Sequence, residues 1–394
     1  MRLNEPLGPP ADPGEQHDSS PSGTGETGSW SEAAIATLPA WIVARVIVGV
    51  ALGFSRYVVD HIGSVIPITA SSIHSGLTAW DGAWYSDIAA HGYAALPREA
   101  LRFFPGLPIA ARALGSLGFG DRLSLVLISN ISAFVAGVML YRLVRYETGD
   151  RPLAVRSVWL LNLAPPAFVF VMGYTDATAV ALAVSTMYFL RRKRWWEAAL
   201  CALLAGVFRP TALLLAVPAL VEALRGIDRA SWRERLGRVA AVAAAPAGTL
   251  VYLAWVGSRF GDFALPFSEQ TSAHLRGQLT DPVSAIVHAI RAGFDGHLGT
   301  ALHVPWFVLI VALTVLVCLR WPLSYAAFTV VVVLSAVTSN NLDSMERYAL
   351  FAFPLLIAAA QLLRSRTVER VVLVLLPVAM FGYASLAFLG LIGP

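Results

Sequence analysis

The chain has 394 residues, 57% of them hydrophobic and only 14% charged, with a formal net charge of +4. Soluble domains carry about a quarter charged residues, so a mean hydropathy of +0.65 excludes a water-soluble globule, a disordered chain and a disulfide scaffold. The small, scattered positive charge also argues against a nucleic-acid protein, and the balance predicts an all-α polytopic membrane protein.

In chain order, residues 1–29 are rich in Pro, Gly, Ser, Asp and Glu and show no apolar periodicity. They read as a disordered cytoplasmic tail, without the basic start and short apolar core of a signal peptide. Residues 30–394 read as one integral membrane domain. Apolar runs near 35–58, 123–142, 157–173, 177–191, 195–208, 211–224, 239–257, 304–319, 323–339, 348–363 and 371–391 predict about 11 transmembrane helices. Several fall below the roughly 20 residues of a straight span, as expected where helices surround a cavity. Residues 103–119 are apolar too, but a twelfth span there would invert every later loop. They read as a short helix at or dipping into the outer face. Cys201 and Cys318 fall inside apolar runs and read as two small buried hydrophobes.

Five breaks are basic: 142–156, the run Arg191–Arg194, 225–238, Arg320 and 364–370. They hold more than half of the 29 lysines and arginines. The positive-inside rule places them in the cytoplasm. Lys193 is the single lysine, a bias typical of a GC-rich bacterial genome, which makes a bacterial plasma membrane the expected location. The opposite, extracytoplasmic face then receives 60–122, the Gly173–Asp176 corner, the Arg209–Pro210 corner, 258–303 and 340–347. Surface helices are expected in 258–303.

The chemistry-bearing residues converge on that face. Trp80–Tyr93 reads WDGAWYSDIAAHGY. Spacing of i, i+4 puts Trp84 with Ile88, and Asp87 with His91, on neighbouring faces of a short helix. Asp81 at its start suits two roles, an N-cap or a general base among aromatics, where low polarity strengthens a carboxylate. Arg102 precedes FFPG and suits either snorkelling or anion binding. Asp176 suits a helix cap. Arg209, between two short apolar runs, demands an acidic or phosphate partner at membrane depth; Asp176 is one. Arg347 begins a helix, where the dipole prefers an anion, so it too wants an anionic partner. No Walker loop, dinucleotide fingerprint, HExxH or nucleophile elbow is present, and the histidines show no metal-ligand spacing.

WDGAWYSDIAAHGY followed closely by RFFPGLP resembles the PIG-V family of mannosyltransferases. The resemblance extends through Asn162–Asp176 (NLAPPAFVFVMGYTD), the Arg209 corner and Asp343–Tyr348 (DSMERY). Asp176 stands where the family usually has Glu, and the chain is shorter than eukaryotic members. The resemblance implies a GT-C glycosyltransferase fold with outer-face juxtamembrane helices and an extracytoplasmic site. It also implies polyprenyl-phosphate-mannose as donor, and a glycolipid, lipoglycan or protein as acceptor. Transfer would be an inverting single displacement with Asp81 as base and no metal or other cofactor. Arg209 and Arg347, and more weakly Arg102, are expected to hold the phosphate. Trp80, Trp84, Tyr85, His91, Tyr93, Asp176, Asp343 and Glu346 are the remaining expected substrate contacts. Two other readings stay open: a transferase for arabinose or glucose from the same kind of lipid carrier, and a non-enzymatic lipid or solute transporter. The transporter would show inverted repeats and broken helices at the midplane.

Overall fold

The computed structural model describes residues 28–62, 70–271, 280–294, 302–338, 342 and 344–393. Every regular element among them is helical. The helices are α1 (Trp30–Ile62), α2 (Ala70–Ser75), α3 (Asp81–His91), α4 (Gly106–Leu114), α5 (Asp121–Thr148) and α6 (Arg151–Leu163). Then come α7 (Asp176–Arg191), α8 (Trp195–Phe208), α9 (Ala216–Leu224), α10 (Trp232–Phe260), α11 (Leu265–Gln270) and α12 (Pro282–Phe294). The last are α13 (His303–Arg320), α14 (Leu323–Val337), α15 (Met345–Ala349), α16 (Pro354–Leu362) and α17 (Arg366–Phe388).

Five of these, α1, α5, α10, α13 and α17, are long and apolar enough to cross a bilayer. Shorter apolar helices stand among them. Large apolar side chains face outward along α1: Ile35, Ile42, Val46 and Val50 are 71, 46, 58 and 56% exposed. Such a stripe is tolerable against hydrocarbon and not against water. The protein is an all-α, multi-pass membrane protein.

Local chemistry sets the element boundaries. Asp150 caps α6, accepting from the Leu153 N–H at 2.9 Å. Ser231 does the same for α10 through the Glu234 N–H. The run expected over 157–173 is instead α6, beginning at Arg151, followed by a tight 3₁₀ segment at Pro165–Phe170. Pro165 and Pro166 lack the N–H groups that would continue the helix. The run expected over 348–363 is likewise split, into α15 and α16, by a turn ahead of Pro354. Residues 103–119 yield the nine-residue α4 and a π turn at Gly115–Phe119. At about 1.5 Å per residue, α4 is too short to cross. The cysteines correct the sequence reading: Cys201 is half-buried and Cys318 exposed, both free.

The basic breaks gather at one end of the assembly. Arg191 at the end of α7 bonds Glu147 of α5 at 2.7 Å and Glu222 of α9 at 2.9 Å. Tyr325 of α14 donates to the same Glu147 at 3.0 Å. Arg156 reaches the Leu363 carbonyl and Glu369, and Arg151 reaches Glu32. At the other end lie α3, the 173–176 corner, Arg209 and α15. Between them α8 and α10 approach closely. A Cβ on Gly206 would collide with the Ala245 carbonyl, and one on Gly248 with the Leu203 carbonyl. Small residues permit such contact between membrane helices.

Candidate functional site

Asp81 is the first residue of α3, but it does not cap it. The cap position is Trp80, at φ 57° and with no side-chain cap bond. Trp80 is held there by its indole N–H, which donates to the Ala387 carbonyl of α17 at 3.0 Å. The Asp81 N–H donates to the Tyr174 hydroxyl at 3.2 Å. Its Oδ2 accepts from Arg347 Nη1 at 2.8 Å. No described residue bonds Oδ1, so one carboxylate oxygen stays open. The N-cap role considered for Asp81 gives way to an ion pair spanning the fold.

Asp176 opens α7 behind Thr175, which makes no side-chain cap bond. Its Oδ1 accepts from Arg209 Nη1 at 2.6 Å and lies 4.0 Å from Arg347 Nε. Asp176, Arg209 and Arg347 are deeply buried, with side-chain exposures of 5, 8 and 7%; Asp81 is 27% exposed. The Tyr348 ring sits under both cations, 5.1 Å from the Arg209 guanidinium carbon and 5.0 Å from that of Arg347. Tyr85 bonds Thr175 at 3.1 Å. Burial, aided by the nearby Asp81 charge, pushes the Tyr85 phenol well above its usual range, so it acts only as a neutral hydroxyl.

These groups line a cavity of about 120 Å³ together with Arg102, Phe103, Phe104, Pro210, Thr211 and residues of α11. Arg102 differs from the other two arginines. Its guanidinium lies 4.5 Å from the Phe103 ring centre, its Nε, like that of Arg347, is buried without an acceptor, and no carboxylate of the described residues pairs with it. Among the described residues, three arginines against two carboxylates leave the lining one positive charge in excess.

A second cavity, about 430 Å³ and apolar, lies behind the 101–104 segment. Ile88, Tyr93, Pro108, Val251, Tyr252 and Trp255 line it, with Arg112 at its edge. The dividing wall is fixed from that side. Tyr93 donates to the Phe103 carbonyl at 2.7 Å, Tyr252 donates to the Leu101 carbonyl at 2.8 Å, and Tyr252 packs on the Phe104 ring.

Of the residues singled out from sequence, Asp81, Tyr85, Arg102, Asp176, Arg209 and Arg347 meet in the polar cavity. Tyr93 belongs to the apolar one. Three others do not line the polar cavity. Trp80 is turned toward α17, and Trp84 stacks on Phe103 at 5.7 Å. His91 is exposed at the far end of α3, ten residues from Asp81, where helix geometry carries it out of reach. Glu346 is also displaced from the cavity: its Oε2 accepts from His303 Nδ1 at 2.9 Å, with both side chains buried. Asp343 lies outside the described residues.

Sequence reasoning missed Tyr174, Thr175 and Tyr348, aromatic or hydroxyl neighbours of motif residues. It also passed over Arg45. This arginine sits within an apolar span, and the cost of charge at membrane depth, already weighed for Arg209, should have flagged it. No cluster of three or more metal-ligating side chains occurs among the described residues.

Comparison with known proteins gives a partial likeness. No protein-family profile matches the chain. GPI alpha-1,6-mannosyltransferase 2 of Cricetulus griseus is 31% identical over 150 residues, 35% of this chain and 30% of that protein. The protein of the same name from Rattus norvegicus is 32% identical over 144 residues, 34% of this chain and 29% of its own length. The chain thus spans under a third of the length of these curated relatives.

Proposed function

We propose that the protein is a membrane mannosyltransferase of the PIG-V type, with a GT-C fold. It moves mannose from polyprenyl-phosphate-mannose to an acceptor hydroxyl on the extracytoplasmic face of a bacterial plasma membrane. The observation that carries the reading is the polar cavity. It presents one half-open carboxylate, Asp81, and one uncommitted guanidinium, Arg102, beside an apolar cavity large enough for isoprene units. The partial likeness to two mannosyltransferases supports the sugar.

The chemistry follows from charge. In an inverting displacement the acceptor oxygen bonds the sugar's anomeric carbon as the carbon–oxygen bond to phosphate breaks. The electron pair leaves with the phosphate, and the acceptor proton goes to a base. A phosphate leaving group needs cations and no proton donor. Asp81 suits the base: Arg347 holds Oδ2 and leaves Oδ1 to take the proton. Asp176 does not, because it is sealed against Arg209. The single excess positive charge of the lining matches the single negative charge of a phosphodiester. Arg102 supplies it, since Arg209 and Arg347 are already neutralised. Arg347 then orients the base, and Arg209 fixes the corner opposite. Tyr93 and Trp255 of the apolar cavity offer ring faces to the prenyl chain.

The test uses the full-length protein in lipid vesicles. It receives radiolabelled polyprenyl-phosphate-mannose and an extract of host membranes as acceptor source. Label appearing in a new product with wild type and absent with Asp81→Asn supports both the reaction and the base. Absence of donor binding by the wild type overturns the reading.

A further inference from the structure

Arg45 lies halfway along α1, about 22 Å from its first turn at 1.5 Å per residue. Its guanidinium finds only neutral acceptors. Nε donates to Asn130 Oδ1 at 2.8 Å, Nη1 to the Trp41 carbonyl at 3.1 Å and to Asn162 Oδ1 at 3.5 Å, and Nη2 to the Phe170 carbonyl at 3.5 Å. Its charge also rests over the Trp41 ring at 4.4 Å. An arginine at this depth is costly wherever a leucine would serve, so the groups it serves are informative.

Those groups are the broken backbone between α6 and α7. Pro165 and Pro166 end α6 inside the bundle, and the chain doubles back through Phe170–Asp176. Away from water, each carbonyl and N–H exposed by that break needs a partner. Asn130 Nδ2 donates to the Val171 carbonyl at 3.0 Å. Its neighbour Ser129 donates to the Tyr174 carbonyl at 2.7 Å and accepts the Tyr174 N–H at 3.1 Å. The Gly173 N–H goes to the Leu77 carbonyl at 2.8 Å. Arg45 holds one side of the Asn130 amide: with Oδ1 occupied by Nε, the NH₂ group donates to the Val171 carbonyl and, at 2.7 Å, to the Val126 carbonyl one turn back on α5, which helps fix the same orientation. Three and five residues beyond Val171, the same backbone delivers Tyr174 to the Asp81 N–H and Asp176 to Arg209.

We propose that Arg45 is a positioning residue that acts through Asn130 to set the depth and orientation of the Gly173–Asp176 corner opposite Asp81. What it positions is a transfer site only if the polar cavity is one; that the corner is held by Arg45 and Asn130 does not depend on that reading.

The experiment compares wild type, Arg45→Gln and Asn130→Asp as full chains in lipid nanodiscs. Hydrogen exchange of peptides spanning 166–178 is read against peptides from α10. Asn130→Asp is the sharp case. It converts the Arg45 contact into an ion pair, strengthening the α1–α5 tether, while removing the donor to Val171. If Arg45 merely ties α1 to α5, corner protection stays at wild-type level. The positioning role predicts that corner exchange rises about ten-fold in both variants while α10 is unchanged. It also predicts that kcat for mannose transfer falls about ten-fold or more with donor KM within about two-fold, as a misplaced site does. Unchanged corner exchange in Asn130→Asp overturns the proposal, including where Arg45→Gln fails to fold. Raised corner exchange with no transfer even by the wild type supports the positioning of the corner and removes the transfer reading instead.

Discussion

The three arginines of the polar cavity separate by what they already hold. Arg102→Ala should raise donor KM about ten-fold or more with little change in kcat, because an Arg–phosphate contact present before reaction contributes to binding; steady-state transfer kinetics read the split. Arg209→Ala should instead destabilise the fold by about 3 kcal/mol or more, because it strands the buried Asp176 carboxylate, and a thermal melt in detergent measures it. Asp81→Asn should lower kcat about 10²- to 10⁴-fold, the usual contribution of a general base, with donor binding retained in an equilibrium assay. The residue types and their motif strings were readable from sequence. Their pairing was not. Asp81 and Arg347 stand 266 positions apart, and only the fold shows that one arginine fork occupies half of the Asp81 carboxylate while Arg102 has no carboxylate partner among the described residues. His91 and Glu346 fall outside the polar cavity for the same reason: proximity in a motif says nothing about which way a helix turns its side chain.

At the level of elements, interrupted helices do the placing. Arg209 follows the last residue of α8, where the chain turns extended before Pro210. Its height depends on how closely α8 lies against α10, and that closeness depends on Gly206 and Gly248. Gly248→Leu should therefore do two things. It should lower stability by about 1–3 kcal/mol, the usual cost of overpacking, and it should weaken donor binding, both by moving Arg209 and because Gly248 itself lines the apolar cavity; a thermal melt and a donor-binding isotherm on the same sample check both. Apolar runs and basic breaks made most helices visible in the sequence. The splits at Pro165–Pro166 and ahead of Pro354 were blurred, because hydropathy averages over a break that leaves composition unchanged. Only Pro165, Pro166 and Pro354 marked them.

Across the whole molecule the two ends are built differently. The basic end carries a buried network in which one guanidinium, Arg191, satisfies Glu147 and Glu222 from two other helices. Arg191→Leu would leave Glu147 buried without its cation, while Glu222 keeps Arg225 at 3.1 Å, and should cost about 3–5 kcal/mol. The melting temperature should drop, while any protein still folded keeps its donor KM, since the site lies at the opposite end. At that opposite end, Trp80 is anchored to the Ala387 carbonyl, and Ser55 of α1 reaches the Ser385 carbonyl. The loop bearing Asp81 is therefore fastened to α17, some 300 residues later in the chain. Translation delivers these partners at opposite ends of synthesis. The ribosome has made nearly the whole chain before Trp80 can find its acceptor, so in every earlier intermediate Asp81 has at most Tyr174 and Arg347 to hold it. A nascent chain can insert helix by helix, yet this last anchor closes late, and a frameshift confined to α17 would loosen a cavity that it never touches.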